Sequence, residues 1–146
     1  AVVHLAKWLG FRVAVNDDRA EFCNPESVPG ADAYYPVPMA ELPSQLKVTR
    51  QTFLVVTSRG SGVDAAGLPP LLESKAAYVG VIGSKRRWLT TVKALKEKGV
   101  SDELIARVHS PMGIELNAET PEEIAVSIMA EILMLRDKGT GKMMKG

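Results

Sequence analysis

The sequence is poor in the residues on which several kinds of chemistry depend. It has one cysteine, Cys23, so no internal disulfide can form, which fits a reducing compartment. Its two histidines, His4 and His109, are far apart, and with a single cysteine they argue against a zinc site. No nucleophile–His–acid pattern is present, and Cys23 has no activating motif beside it. No stretch approaches the roughly 18 unbroken apolar residues of a membrane span. The most apolar segment, Ile124–Leu135, is interrupted by Glu131. The start, AVVHL, lacks a basic region ahead of an apolar core and does not read as a signal peptide. Charge of one sign is lacking too: 18 Lys and Arg against 17 Asp and Glu give a net +1. That balance argues against a protein that coats nucleic acid. The expectation is a cytoplasmic protein with no membrane and no nucleic-acid partner.

What is present is a globular composition, 46% hydrophobic and 24% charged, over 146 residues. That length suits one domain able to bury roughly 70% of its unfolded surface. The expected domain covers residues 1–138, followed by a flexible Gly/Lys/Met tail at 139–146.

Val2, Leu5, Ala6 and Leu9 recur at helical spacing, so the chain opens in an amphipathic helix stopped by Gly10. Phe11–Val15 reads as a buried strand, Ala31–Tyr35 as a short one, and Thr52–Val56 and Ala77–Ile82 as two more. Between them the period turns helical. Residues 87–98 carry Trp88, Leu89, Val92 and Leu95, and residues 102–108 form a shorter helix capped by Ser101. The last helix starts on Thr120, with Pro121 in its first position and Glu123 completing a capping box. Its stripe is Ile124, Ile128, Ile132 and Leu135, and Ala125, Met129, Leu133 and Met134 widen the apolar surface enough to suggest a homodimer. Strands alternating with helices imply parallel βαβ units. The fold class is therefore α/β, a Rossmann-like doubly wound sheet whose first strand and Gly-rich turn are missing from these residues.

Four segments carry candidate chemistry. Asp17, Asp18 and Arg19 end the strand after the first helix, where an acidic residue accepts from ribose hydroxyls in a dinucleotide fold; a solvated turn is the plainer reading. Gly83, Ser84, Lys85, Arg86 and Arg87 lie between a strand and a helix, and helix-start amides with three cations suit an anion; a Ser-capped helix whose basic first turn faces water is the plainer reading. Ser58 and Arg59, with Gly60, Ser61 and Asp64, follow another strand end; hydroxyls and a carboxylate there suit a phosphate or carbonyl, or simply make a flexible loop. His109, expected in a loop between two helices, is either an acid–base group or a structural residue.

The run Tyr78–Trp88 (YVGVIGSKRRW) resembles a signature of the XdhC/CoxI family, as do Pro111–Ile114 (PMGI) with Ala118–Glu131 (AETPEEIAVSIMAE), and Leu9–Val13 (LGFRV) leading into Asp17–Arg19. The resemblance runs to about Lys138 and covers the family's C-terminal, Rossmann-like half. It implies an accessory protein, without turnover of its own, for molybdenum hydroxylases such as xanthine dehydrogenase and carbon monoxide dehydrogenase. Such a protein binds the molybdenum cofactor (molybdopterin), protects it during sulfuration and delivers it to the apo-enzyme, with a cysteine desulfurase as a further partner. An NAD(P)-binding oxidoreductase domain is the alternative on the same fold. The sequence departs from the family in three places. The Ser58-Arg59-Gly60-Ser61 loop lacks a histidine, Glu115 and Asn117 stand where Asp and Gly are common, and Pro69 and Pro70 are expected to interrupt the helix after Asp64.

Overall fold

Five short parallel strands alternate with six α-helices in this computed structural model, which describes residues 1–146. Helix α1 (Val2–Trp8) leads to β1 (Ala14–Asn16) and β2 (Ala33–Tyr35). A single turn, α2 (Leu42–Gln45), precedes β3 (Phe53–Val56) and α3 (Ser61–Leu72). Then come β4 (Tyr78–Val81), α4 (Lys85–Glu97), α5 (Asp102–Ile105), β5 (Val108–His109) and α6 (Pro121–Asp137). This is a Rossmann-like α/β fold.

The strands fall into two groups, β2 beside β1 and the run β3-β4-β5. From β1 the chain moves outward to β2, and from β3 it moves outward through β4 to β5. Neither β1 nor β3 has a strand on its other edge. The two groups are nonetheless held together at both ends. Phe11 meets Phe53 edge-on at 6.0 Å near the amino ends, and Asp18 pairs with Arg59 at the carboxyl ends.

Period-2 alternation assigns the two faces. Leu54, Val56, Val79 and Val81 pack against Leu68, Leu71 and Leu72 of α3, Leu95 of α4 and Ile105 of α5. Each fully buried leucine contributes about 1.5–3 kcal/mol of burial. On the other face, Tyr78, with Phe53 and Val55, packs on Ala6 of α1 and on Ile128, Met129 and Ile132 of α6.

Several sequence expectations change. Helix α3 runs through Pro69 and Pro70 to Leu72. Both prolines sit in its last turn, so only the last amide bonds are lost. Burial of Leu68, Leu71 and Leu72 holds the turn helical. The helix expected at 102–108 ends at Ile105, and Val108 and His109 form a strand that pairs with Val79 and Gly80. The intervening Arg107 donates to the carbonyls of Leu72, Ser74 and Ala76, tying the turn after α3 to β5. The α4 stripe is Trp88, Thr91, Val92 and Leu95; Leu89 points to solvent, 67% exposed. The strand expected at 11–15 is confined to residues 14–16, because the Asp32 carboxylate takes the Val13 amide at 2.8 Å. On α6, Ala125 and Met129 are buried inside the chain, while Leu133 and Met134 are half-buried. No helix is long and apolar enough to cross a membrane.

Candidate functional site

The loops after β1, β3 and β4 meet on one rim, at the carboxyl ends of the strands. The direction of strand progression reverses between β1 and β3, and in open α/β sheets ligands bind in the crevice outside such a reversal. The Asp18–Arg59 pair spans it, with both carboxylate oxygens accepting from the guanidinium at 3.1 and 3.2 Å. Both side chains are exposed enough for this strap to be remade by a ligand.

Asp17 turns back on its own loop. It accepts from the Arg19 amide at 2.9 Å and from the Arg19 guanidinium at 3.0 Å through Nε and Nη2. The Arg19 guanidinium holds the Asp17 carboxyl below the usual carboxylate range. Arg19 also lies over the Phe22 ring at 4.3 Å, which fixes its orientation.

Asp64, in the first turn of α3, has no solvent contact. A buried carboxylate requires a partner, and Arg87 supplies it: Nη2 donates to Asp64 Oδ2 at 2.8 Å. The same Nη2 donates to the Ser58 carbonyl at 3.1 Å and to Ser58 Oγ at 3.0 Å, while Ser58 Oγ donates to Asp64 Oδ1. Arg87 Nε is buried beside them with no partner. Gly83 makes this possible. Its φ of +124° is left-handed, and a Cβ there would stand 2.9 Å from Arg87 Cδ.

Ser84 accepts from the Arg87 amide at 3.1 Å and so caps α4. The first amides of α4 have no intrahelical acceptor, and they carry the positive end of its dipole. Lys85 and Arg86 are exposed there and form no ion pair. Like charge at the positive end of a helix is unfavourable until an anion joins it.

The structure thus brings Asp17, Asp18, Arg19, Ser58, Arg59, Asp64, Gly83, Ser84, Lys85 and Arg86 to one rim but divides their work. Asp64 and Ser58 brace Arg87, Asp17 braces Arg19, and Lys85 and Arg86 are left free. The sequence signals three basic residues at 85–87 but not that the third turns inward. Gly83 and Asp64 were the available signs. Glu131 reads in the sequence only as an interruption of an apolar run; it is buried and bonded to Tyr78 on the face of the sheet that α6 covers. Cys23 is buried, with its Sγ 3.5 Å from the Val15 carbonyl.

Residues 1–132 match the family model described as the XdhC Rossmann domain. The chain is similar to the uncharacterized protein YqeB of Escherichia coli, 34% identical over 145 residues that make up 99% of this chain and 26% of that protein. It is similar also to a protein of Bacillus subtilis described as a probable xanthine dehydrogenase subunit, 30% identical over 94% of this chain and 39% of that protein. Among solved structures it superposes on a crystal structure of a xanthine dehydrogenase from Bacillus halodurans with a TM-score of 0.79 and 29% identity, covering 94% of this chain and 40% of that one. The chain therefore spans well under half the length of the relatives it matches. Parallel strands, a carboxyl rim at the reversal of strand order and a match over nearly all residues agree: the chain belongs to the XdhC Rossmann-domain family.

Proposed function

We propose that this chain serves xanthine dehydrogenase or a related molybdenum hydroxylase of the carbon monoxide dehydrogenase type, by binding the molybdenum cofactor at the rim and delivering it. The observation that carries this reading is the pair of unpaired cations, Lys85 and Arg86, on the free amides of α4 beside the reversal of strand order. The cofactor is a pterin bearing a phosphate, and the donor set fits its anionic end. The α4 amides with Lys85 and Arg86 would hold the phosphate, and Arg59 and Arg19 flank the crevice. Bound there, the cofactor would supply hydroxylase chemistry to the acceptor enzyme. This chain's residues bind and orient it. Two relatives bear the name of xanthine dehydrogenase, one as a whole enzyme and one as a probable part of it, and these names favour an acceptor of that class.

Both rim aspartates that could meet a ribose are engaged by arginines, Asp17 by Arg19 and Asp18 by Arg59. An NAD(P)-binding role would require at least one of these pairs to open. Calorimetric titration of the chain with molybdopterin and, separately, with NADH distinguishes the two. Preferential binding of molybdopterin is expected, and NADH binding at equal or higher affinity would replace this reading with the oxidoreductase one.

A further inference from the structure

On the face of the sheet covered by α6, outside the set just described, three ionisable side chains from three elements touch. Tyr78 of β4 is buried and donates its phenol to Glu131 Oε1 of α6 at 2.5 Å. The Gly113 amide donates to the same oxygen at 3.1 Å. That oxygen is thereby fully engaged, which fixes the carboxylate plane and leaves Oε2 to face His109 Nδ1 of β5 at 3.7 Å. The His109 ring stacks on the Tyr78 ring, centroids 4.9 Å apart and planes 25° from parallel.

Each support is itself supported. Gly80, the β4 residue paired with His109, has no side chain, and a Cβ there would fall on the Tyr78 hydroxyl and ring. Burial and the adjacent carboxylate push the Tyr78 phenol well above its ordinary value, so it remains a donor. The loop that gives the Gly113 amide is held on α6 by Ser127, which donates to the Ile114 carbonyl at 2.5 Å and whose own carbonyl accepts from the Ile114 amide at 3.2 Å.

The imidazole is the one member not closed in. Its side chain is 40% exposed, neither ring nitrogen has a hydrogen-bond partner, and neither is sealed from solvent. A purely structural histidine at a sheet edge has no need of a buried carboxylate aimed at one nitrogen while the other stays free. A nucleophile or base oriented by a third group has that need. Long contacts of this kind in a ligand-free protein tighten when a ligand arrives.

We propose that His109 is an acid–base group on the α6 face of the sheet, level with Gly80 of β4, with Glu131 and Tyr78 as its positioning residues. The carboxylate charge at Glu131 Oε2, 3.7 Å from Nδ1 and outside hydrogen-bond reach, favours by its field the tautomer with the proton on Nδ1, leaving Nε2 as the acceptor. Its ligand carries a weakly acidic N–H, O–H or S–H. Nε2 takes that proton, the ligand becomes an anion, and the imidazolium lies against Glu131; water removes the proton when the ligand leaves. His109 lies two strands across from Val55 in register, hence also three residues short of Ser58, about 14 Å away at the usual spacings. A ligand bound at the rim as proposed above would reach His109 by extending along the α6 side of the sheet, and the inference rests on that rim being occupied.

The two histidines make the test direct, since exposed His4 is an internal reference. Nitrogen NMR of the ligand-free chain should show neutral His109 with its proton on Nδ1 and His4 in the opposite, ordinary tautomer. Glu131→Gln should weaken or reverse the His109 preference without moving His4, and Tyr78→Phe should weaken it partly. Acylation by diethyl pyrocarbonate should modify Nε2 of His109, and added molybdopterin should slow that modification several-fold while His4 reacts as before. A wild-type His109 with its proton on Nε2 overturns the proposal, even if Glu131→Gln fails to fold. So does bound molybdopterin that leaves the acylation of His109 unchanged. A correct tautomer and reactive His109 in a chain that does not bind molybdopterin would instead count against the cofactor reading and leave the acid–base group standing.

Discussion

Asp64 is the most tightly enclosed charge in the molecule, and one guanidinium answers it. Removing one partner of a buried pair is far more costly than the pair is worth, because the other charge is stranded. Asp64→Ala is therefore expected to destabilise the chain by about 3 kcal/mol, read as a lower urea midpoint. A change within about 0.5 kcal/mol, the scale of a surface substitution, would show that Arg87 finds another partner. Gly80→Ala is the matching test on the opposite face, since its methyl would displace the Tyr78 ring. The expected cost is about 1–3 kcal/mol by overpacking, with loss of the Tyr78–Glu131 bond visible in the tyrosine ultraviolet spectrum. At this scale the sequence shows which residue types gather at strand ends, but not how they divide. Asp64 reads as a ligand acceptor until Arg87, 23 residues away, is seen to occupy it.

Helix ends were the most legible elements, because a cap is decided by neighbours in sequence. The Thr120 box forms as its spacing requires, with the Glu123 carboxylate accepting from the amides of Glu119 and Thr120. These bonds hold the Glu123 carboxyl below its ordinary value. Its contribution is present above the unfolded carboxylate value, about 4, and is lost as pH falls through the lower folded value. The melting temperature should therefore fall on acidification below about pH 4, and Glu123→Gln should flatten that acid limb. A variant with the wild-type acid limb would contradict the box. Ser84→Ala, which removes the α4 cap, should cost about 1 kcal/mol. Elements decided by distant contacts were harder to read. Val108 looks like the end of a helix and His109 like the start of a loop until Val79 and Gly80 are available to pair with them. Pro69 and Pro70 look like a break until the leucines around them are found buried. Glu131 looks like an interruption of an apolar face until Tyr78 and Gly113 meet it.

At the scale of the whole molecule, alternation of strand and helix was enough to give the parallel α/β class, since parallel neighbours require crossovers. The division into two strand groups was not legible, because it depends on which edges find partners rather than on any local pattern. The two groups meet at a rim bridged by Asp18 and Arg59 and bordered by the basic start of α4. The near-neutral net charge conceals this local positive field. If Lys85 and Arg86 hold the phosphate of the molybdenum cofactor, the measurement that decides is calorimetric titration with molybdopterin of the wild-type chain and of the Lys85→Ala/Arg86→Ala variant. Both side chains are exposed and unpaired, so the variant should unfold at the wild-type urea midpoint yet bind at least tenfold more weakly, each lost charge-assisted contact being worth about 1.5–3 kcal/mol. Equal affinity of the two proteins for molybdopterin would contradict the assignment of this rim as the cofactor site.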